Sequence, residues 1–319
     1  MIPLCRPVFT GREREYVDEC LRTGWVVTGE FIDRFEDALS KRFYYGAPVV
    51  TVNSGTTALS LALKAHDVVG QLITIPMLTF KATMNAVWAA RATVNLRDVD
   101  LPSWVLIGFF GGTVIPVDLN GVGSPATGAV TIHDAAGALG GTTHSHTMIL
   151  SFNANKLITT GGGGAVVCPS KSFADRIRLM SRHVRDGEET RGGANLMLTN
   201  LQAAIGLGQM EQFDEKRAAK KRIAERYTAE LGPSFIPQAV PPGMTTNHWL
   251  YSVRCQDADH RQRVEQAMAA ANIEVRRMWK PLGYGPNAEA IYSTALSLPC
   301  SVDLNERDQE TVIRCARTA

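Results

Sequence analysis

Apolar residues recur at helical spacing over residues 13–22 and again over 30–43. Between these runs stands Gly24-Trp25-Val26-Val27-Thr28-Gly29, which predicts a turn or extended loop. From there short unbroken apolar runs alternate with longer amphipathic ones. Val49-Val50-Thr51-Val52 predicts a strand, Asn53-Ser54-Gly55-Thr56-Thr57 a polar turn, and residues 58–64 a helix. A strand over 72–75, a helix over 79–90 and a strand over 93–96 follow, before the acidic Asp98-Val99-Asp100. The runs at 114–117, 130–132 and 148–150 continue the strands, and 165–167 reads as a returning strand after the glycines 161–164. Such alternation predicts an α/β fold with a mostly parallel sheet flanked by helices on both faces.

The second half has a different rhythm. Residues 171–184 predict a helix, 185–191 a charged loop ending in Gly192-Gly193, and 199–222 a long helix that continues to about Leu231. Pro237, Pro241 and Pro242 mark a boundary. Beyond it the runs 249–253 and 273–275, with a helix over 259–271 between them, predict a small α+β unit. The expected division is a large domain with an N-terminal arm over residues 1–210, then an interdomain helix and a smaller C-terminal domain over 211–319.

Composition narrows the function classes. With 319 residues, 45% of them hydrophobic and 20% charged, the chain has enough apolar material for a large core. A formal charge of +2 without a basic block argues against a nucleic-acid groove. The N-terminus lacks a leader pattern and no apolar run reaches bilayer length, so a cytoplasmic protein without a membrane partner is expected. Cys5, Cys20, Cys168, Cys255, Cys300 and Cys315 are scattered, with no C-x-x-C pair, and read as ordinary thiols rather than metal ligands.

Four places carry candidate chemistry. In Ser151-Phe152-Asn153-Ala154-Asn155-Lys156, one lysine stands between an apolar strand and a glycine-rich turn. A lysine partly removed from water loses proton affinity, and its neutral amine can form a Schiff base with a carbonyl. By position alone a solvated loop lysine is the commoner outcome. Ser54-Gly55-Thr56-Thr57 sits where a strand turns into a helix, so N–H groups and the helix dipole converge on a candidate phosphate site; an ordinary N-cap is the alternative. Asp134 ends the run at 130–132, where open α/β sheets bind ligands, and a carboxylate there needs a cation or caps a helix. Phe80 is either core or a face on which a planar ring stacks. Neither a P-loop nor a G-x-G-x-x-G is present. Phosphate cradle, aromatic, acid and lysine together match what pyridoxal 5′-phosphate requires.

These residues and several flanking motifs resemble the DegT/DnrJ/EryC1/StrS family of sugar aminotransferases, of fold type I in the aspartate aminotransferase superfamily. The motifs are Gly24 to Gly29, Ser54-Gly55-Thr56-Thr57-Ala58-Leu59, Thr79 to Ala86, Asp134-Ala135-Ala136 with Ala138-Leu139-Gly140, Ser151 to Lys156 with Thr159-Thr160-Gly161, Asn200 to Gly206, Trp279-Lys280-Pro281-Leu282 and Leu296-Ser297-Leu298-Pro299. The resemblance implies that Lys156 forms the internal aldimine and acts as general base, and that Asp134 pairs with the pyridine nitrogen. It also implies that Phe80 stacks on the ring, and that Ser54, Gly55, Thr56, Ser151 and Asn153 surround the cofactor. Asn195, in Gly193-Ala194-Asn195, would reach the cofactor of a neighbouring subunit, so a homodimer with interfacial active sites is implied. The expected reaction moves an amino group from an amino acid, L-glutamate by resemblance, to a nucleotide-linked keto sugar. Candidate substrate contacts are Trp25, His183, Arg185, His248 and Lys280.

The chain departs from the family pattern at Gly137, Met197 and Gly283, and it is compressed around residues 101–113. Those departures leave two alternatives beside the nucleotide sugar: a non-sugar carbonyl such as a keto-cyclitol, or a protein that binds the cofactor without turnover.

Overall fold

Two serine turns fix where a helix begins. The computed structural model describes residues 1–141, 147–185, 188–189 and 193–319, with 184–185 and 188–189 as backbone. Two helices, α1 (Glu13–Thr23) and α2 (Glu30–Phe43), precede β1 (Val49–Val52). Then come α3 (Gly55–Ala65), β2 (Leu72–Pro76), α4 (Lys81–Ala89), β3 (Thr93–Arg97), β4 (Phe109–Val114), β5 (Thr127–Asp134), β6 (Thr147–Ser151), β7 (Gly164–Val167) and α5 (Lys171–Met180). Ser54 caps α3 by accepting from the Thr57 N–H at 3.1 Å, and Ser170 caps α5 by accepting from the Phe173 N–H at 3.2 Å. Both satisfy first-turn N–H groups that have no acceptor within the helix.

The strands of this region form one seven-stranded sheet in the order β1-β7-β6-β5-β4-β2-β3. Neighbours from β6 to β3 run parallel, while β7 is antiparallel to both β6 and β1. The C-terminal ends of β1, β6, β5 and β2 therefore lie on one edge, where ligands of open α/β sheets sit. Fully buried faces explain the unbroken apolar runs of β1, β6 and β7. One core, built on Phe35, Leu39, Phe152 and Phe213, lies between the sheet and α1, α2 and the helix α6 (Asn200–Glu211). The other, built on Leu59, Leu63, Ile73 and Ile75, lies under α3, α4 and α5.

Several boundaries differ from the sequence expectation. The strand expected over 114–117 is β4 at Phe109–Val114, with a register shift between Phe110 and Thr113, and residues 98–108 form no helix. The helix expected to reach residue 184 stops at Met180. The charged loop contains a short ribbon of β8 (Val184–Arg185) and β9 (Glu188–Glu189). The single long helix is two, α6 and α7 (Phe213–Glu230), broken at Gln212.

A four-stranded antiparallel sheet follows, in the order β10-β11-β13-β12, from β10 (Ile236–Pro237), β11 (Tyr251–Arg254), β12 (Arg276–Arg277) and β13 (Ala295–Leu298). With α8 (Ala258–Ala270), α9 (Pro286–Thr294) and α10 (Glu306–Arg317) it makes the α+β unit that the sequence predicts. Its core of Tyr227, Leu250, Val264, Leu296 and Val312 is shared with the middle of α7. Among the described residues no helix is long and apolar enough to cross a membrane.

Candidate active site

At the shared C-terminal edge of β1, β2, β5 and β6 lies a cavity of about 330 Å³. Ser54, Gly55 and Thr56 form one end of it. Gly55 and Thr56 open α3, so their N–H groups point past the helix end and are available to an anion. The backbone is crowded there: a Cβ on Gly164 would stand 2.5 Å from the Gly55 nitrogen, and one on Gly55 would stand 3.0 Å from Ser151 Cβ. The turn after β1 and the start of β7 thus meet backbone to backbone, which only glycine permits.

Asp134 ends β5 and is 8% exposed. One carboxylate oxygen accepts from Thr83 Oγ1 at 3.0 Å and the other from the Ala136 N–H at 3.3 Å. Burial raises its pKa, which Thr83, Ala136 and the charge of Lys156 oppose. Behind it His133 Nε2 lies 2.7 Å from Asp118 Oδ1 with both side chains buried. Burial works against a charged His133, but Asp118 more than offsets it and the pKa is raised.

Lys156 follows β6 and lies half-buried, its Nζ 3.3 Å from the centroid of the Trp249 ring. Desolvation lowers its pKa to about 7, with Arg276 acting in the same sense and Asp134 against it. An amine in this state is a competent nucleophile and base near neutral pH. Trp249 is itself fixed: its Nε1 donates to the Asn155 carbonyl at 2.6 Å and its N–H to Asn247 Oδ1 at 2.9 Å. The indole occupies the space beside Gly137, where a Cβ would come within 2.5 Å of Trp249 Cε3. The glycine departure at 137 is thereby matched by a tryptophan from another part of the chain.

The outer wall is aromatic and cationic. Phe80 and Trp279 lie 5.7 Å apart, centroid to centroid, and Arg276 stands 5.8 Å from the Trp249 ring and 5.6 Å from the Trp279 ring. No carboxylate forms an ion pair with Arg276 among the described residues, whereas its neighbour Arg277 pairs with Glu265 at 2.5 Å.

A model of the DegT/DnrJ/EryC1/StrS aminotransferase family matches residues 8–107 and 112–317. The chain belongs to that family. The aminotransferase is 32% identical to the GDP-perosamine synthase of Caulobacter vibrioides, over 98% of this chain and 96% of the relative. It is 27% identical to the UDP-4-amino-4,6-dideoxy-N-acetyl-beta-L-altrosamine transaminase of Campylobacter jejuni, over 89% of this chain and 88% of that one. Its fold matches the aminotransferase TlmJ from Streptoalloteichus hindustanus with a TM-score of 0.91 at 24% identity, covering 100% and 98% of the two chains.

The structure brings together Ser54, Gly55, Thr56, Phe80, Asp134, Ser151, Asn153 and Lys156 around this cavity of the aminotransferase. Six other expected residues are not among its described lining. His248 opens on a second cavity with Glu225 and Tyr251, and Lys280 is exposed. Each adjoins a tryptophan, Trp249 or Trp279, that takes the wall. These two are corrections for this subunit's own cavity. Trp25 is 62% exposed, with its carbonyl accepting from Asn200 Nδ2 at 2.6 Å, and His183 is exposed. Arg185 lies on β8, and its side chain falls outside the described residues. Asn195 is exposed on a segment pinned beside β1, where the Asn53 N–H donates to the Leu196 carbonyl at 2.9 Å and Met197 bridges Val52.

Sequence reasoning missed Arg276, Trp279 as a wall residue, Thr83 and Asn155. Arg276 faces the cavity while its neighbour Arg277 turns away to Glu265.

Proposed function

We propose that this aminotransferase uses pyridoxal 5′-phosphate to move an amino group from L-glutamate to the keto group of a nucleotide-linked sugar. The observation that carries this reading is the convergence of a lysine depressed to about 7, a buried carboxylate and the α3 N-terminus on one cavity. These residues fit the cofactor. Asp134 has only two neutral donors and gains from a cation, which a protonated ring nitrogen supplies. The Gly55–Gly164 contact keeps side chains out of the phosphate end. When bound, pyridoxal 5′-phosphate provides an electron-withdrawing ring that stabilises negative charge on the donor's α-carbon.

The remaining work falls to the protein. Lys156 would hold the cofactor's aldehyde carbon and, once freed, would carry the proton from the donor α-carbon to that carbon, a general-base role suited to a pKa near 7. Asp134 keeps the ring nitrogen protonated, with Thr83 orienting the carboxylate. Arg276, with no carboxylate ion pair among the described residues, would hold a carboxylate of the donor. Phe80 and Trp279 cover the ring face and exclude water. The nucleotide-sugar acceptor is supported by the named substrates of the relatives.

The functional unit in this reading is a homodimer. Leu21 at 60% exposure and Trp25 at 62% leave an apolar surface for a second copy, and Asn195, outside its own cavity, is free to enter the partner's.

Glutamate added to the cofactor-loaded protein should bleach its visible absorbance, and a nucleotide-linked keto sugar should restore it with release of the amino sugar. Lys156→Ala should lose the visible band and at least about 10²-fold in rate. Restoration by keto-cyclitols alone would replace the acceptor, and no bleaching with any amino acid would favour binding without turnover.

A further inference from the structure

Directly beneath the Lys156 loop lies a cluster that the reaction does not use. The buried Lys220 Nζ stands 3.5 Å from Cys5 Sγ, 3.5 Å from Cys300 Sγ and 2.9 Å from the Trp249 carbonyl. Two such contacts to one nitrogen hold the sulfurs within about 7 Å of each other. The backbones are also neighbours, since the Cys300 N–H donates to the Leu4 carbonyl at 2.8 Å. Closing a disulfide needs Cα atoms roughly 4–7 Å apart, a span that the backbone hydrogen bond from Cys300 to the residue before Cys5 brings within reach. Cys5 is half-buried and within reach of a small oxidant, and Cys300 is buried behind it. Among the described residues no other pair of cysteines shares a hydrogen-bond partner.

We propose that Cys5 and Cys300 form an oxidisable thiol pair that a peroxide converts to a disulfide, and that this modification acts on the loop carrying Lys156. In the first step the Cys5 sulfur gives up its proton and attacks one peroxide oxygen. The O–O bond breaks, the sulfur is oxidised by two electrons to the sulfenic acid, and one water leaves. The Cys300 sulfur then displaces the second oxygen, which takes the Cys300 proton and leaves as water. Two thiols and one peroxide thus give one disulfide and two waters. In the reduced pair burial works against the charge of Lys220, and the two sulfurs more than offset that. Burial holds the Cys5 thiol above its ordinary value, and the charge of Lys220 opposes that only in part.

The consequence runs through two carbonyls. The Cys5 thiol donates to the Asn155 carbonyl at 3.3 Å, the same oxygen that accepts the Trp249 indole N–H, and the Cys300 thiol lies 3.5 Å from the Trp249 carbonyl. A disulfide removes both S–H donors and draws the sulfurs away from the residue before Lys156 and from the tryptophan above it.

The test is to treat the cofactor-loaded enzyme with hydrogen peroxide, block free thiols, digest without reductant and map the peptides. A peptide joining Cys5 to Cys300, two hydrogens lighter than the separate pair, is expected. It should be accompanied by a two- to ten-fold fall in the glutamate half-reaction, the worth of one or two hydrogen bonds, reversed by dithiothreitol. Cys5→Ala should keep the ratio of treated to untreated rate near one. Separate blocking of both thiols in the treated enzyme, or a link from Cys5 to Lys220 instead, overturns the assignment. Equal inactivation of Cys5→Ala, or full activity of the linked enzyme, overturns the coupling to Lys156. An untreated enzyme inert to glutamate speaks against the donor alone, because the peptide map reads the thiol chemistry directly.

Discussion

Lys156 owes its low proton affinity to burial first and to Arg276 second, with Asp134 pulling the other way. The neutral amine captures an aldehyde, so uptake of pyridoxal 5′-phosphate by the cofactor-free protein should rise with pH through about 7 and level off above it. In Arg276→Gln a like charge is removed, Lys156 holds its proton more tightly, and the same rise should move to higher pH. Following the visible band after rapid mixing across pH checks both statements; an unmoved midpoint would mean that Arg276 does not reach the amine. At this scale the cofactor end of the site was legible, because lysine, acid and hydroxyl turn each follow a strand read from its apolar run. The wall opposite was not. Arg276 sits on a strand two residues long, too short to leave a periodic signature, Trp279 follows that strand in irregular chain, and Trp249 is explained only by the empty space beside Gly137.

At the scale of elements, caps decide more than propensity does. Thr199 accepts from the Gln202 N–H at 3.2 Å while Gln202 Oε1 accepts from the Thr199 N–H at 3.1 Å, closing a reciprocal box at the start of α6. Gln202 also donates to the Gly162 carbonyl at 2.8 Å, tying that helix to the glycine turn after Lys156. Thr199→Ala should therefore cost about 1 kcal/mol, seen as a lower urea midpoint with an unchanged slope. The break between α6 and α7 was not visible in a composition of good helix formers running straight through Gln212. Packing produces it: α6 lies against α1 and α2 of the large-sheet core, whereas the middle of α7 carries Tyr227 into the other core. β4 was hidden for the opposite reason, since Gly111 and Gly112 remove the apolar signal from a strand that pairs on both sides.

For the whole molecule, the dimer reading makes a numerical forecast. A subunit with Lys156→Ala still offers Asn195 to its partner, and one with Asn195→Ala still has its own Lys156. Each variant alone should be impaired. Subunits mixed and exchanged at equal amounts should regain about one quarter of the wild-type rate, because half the dimers are mixed and each has one intact site. Recovery no greater than the average of the two separate variants would show that Asn195 does not cross between subunits. The order of strands and helices was readable from sequence, but the lateral order β1-β7-β6-β5-β4-β2-β3 was not. Nothing in a periodicity states which strand lies beside which; the structure supplies that.

The meeting of Gly55 with Gly164 bears on how this enzyme could be altered. No side chain fits between the turn after β1 and the strand after the lysine loop, so the phosphate end and the lysine end of the cavity are parts of one rigid body. Random variation at those positions would break the site before it changed its preference. Acceptor range has to be sought on the opposite wall, at Gly137, Trp249 and Trp279, where the indoles rather than packed backbone set the shape. A library confined to those three positions is the economical route to new amino sugars from this scaffold.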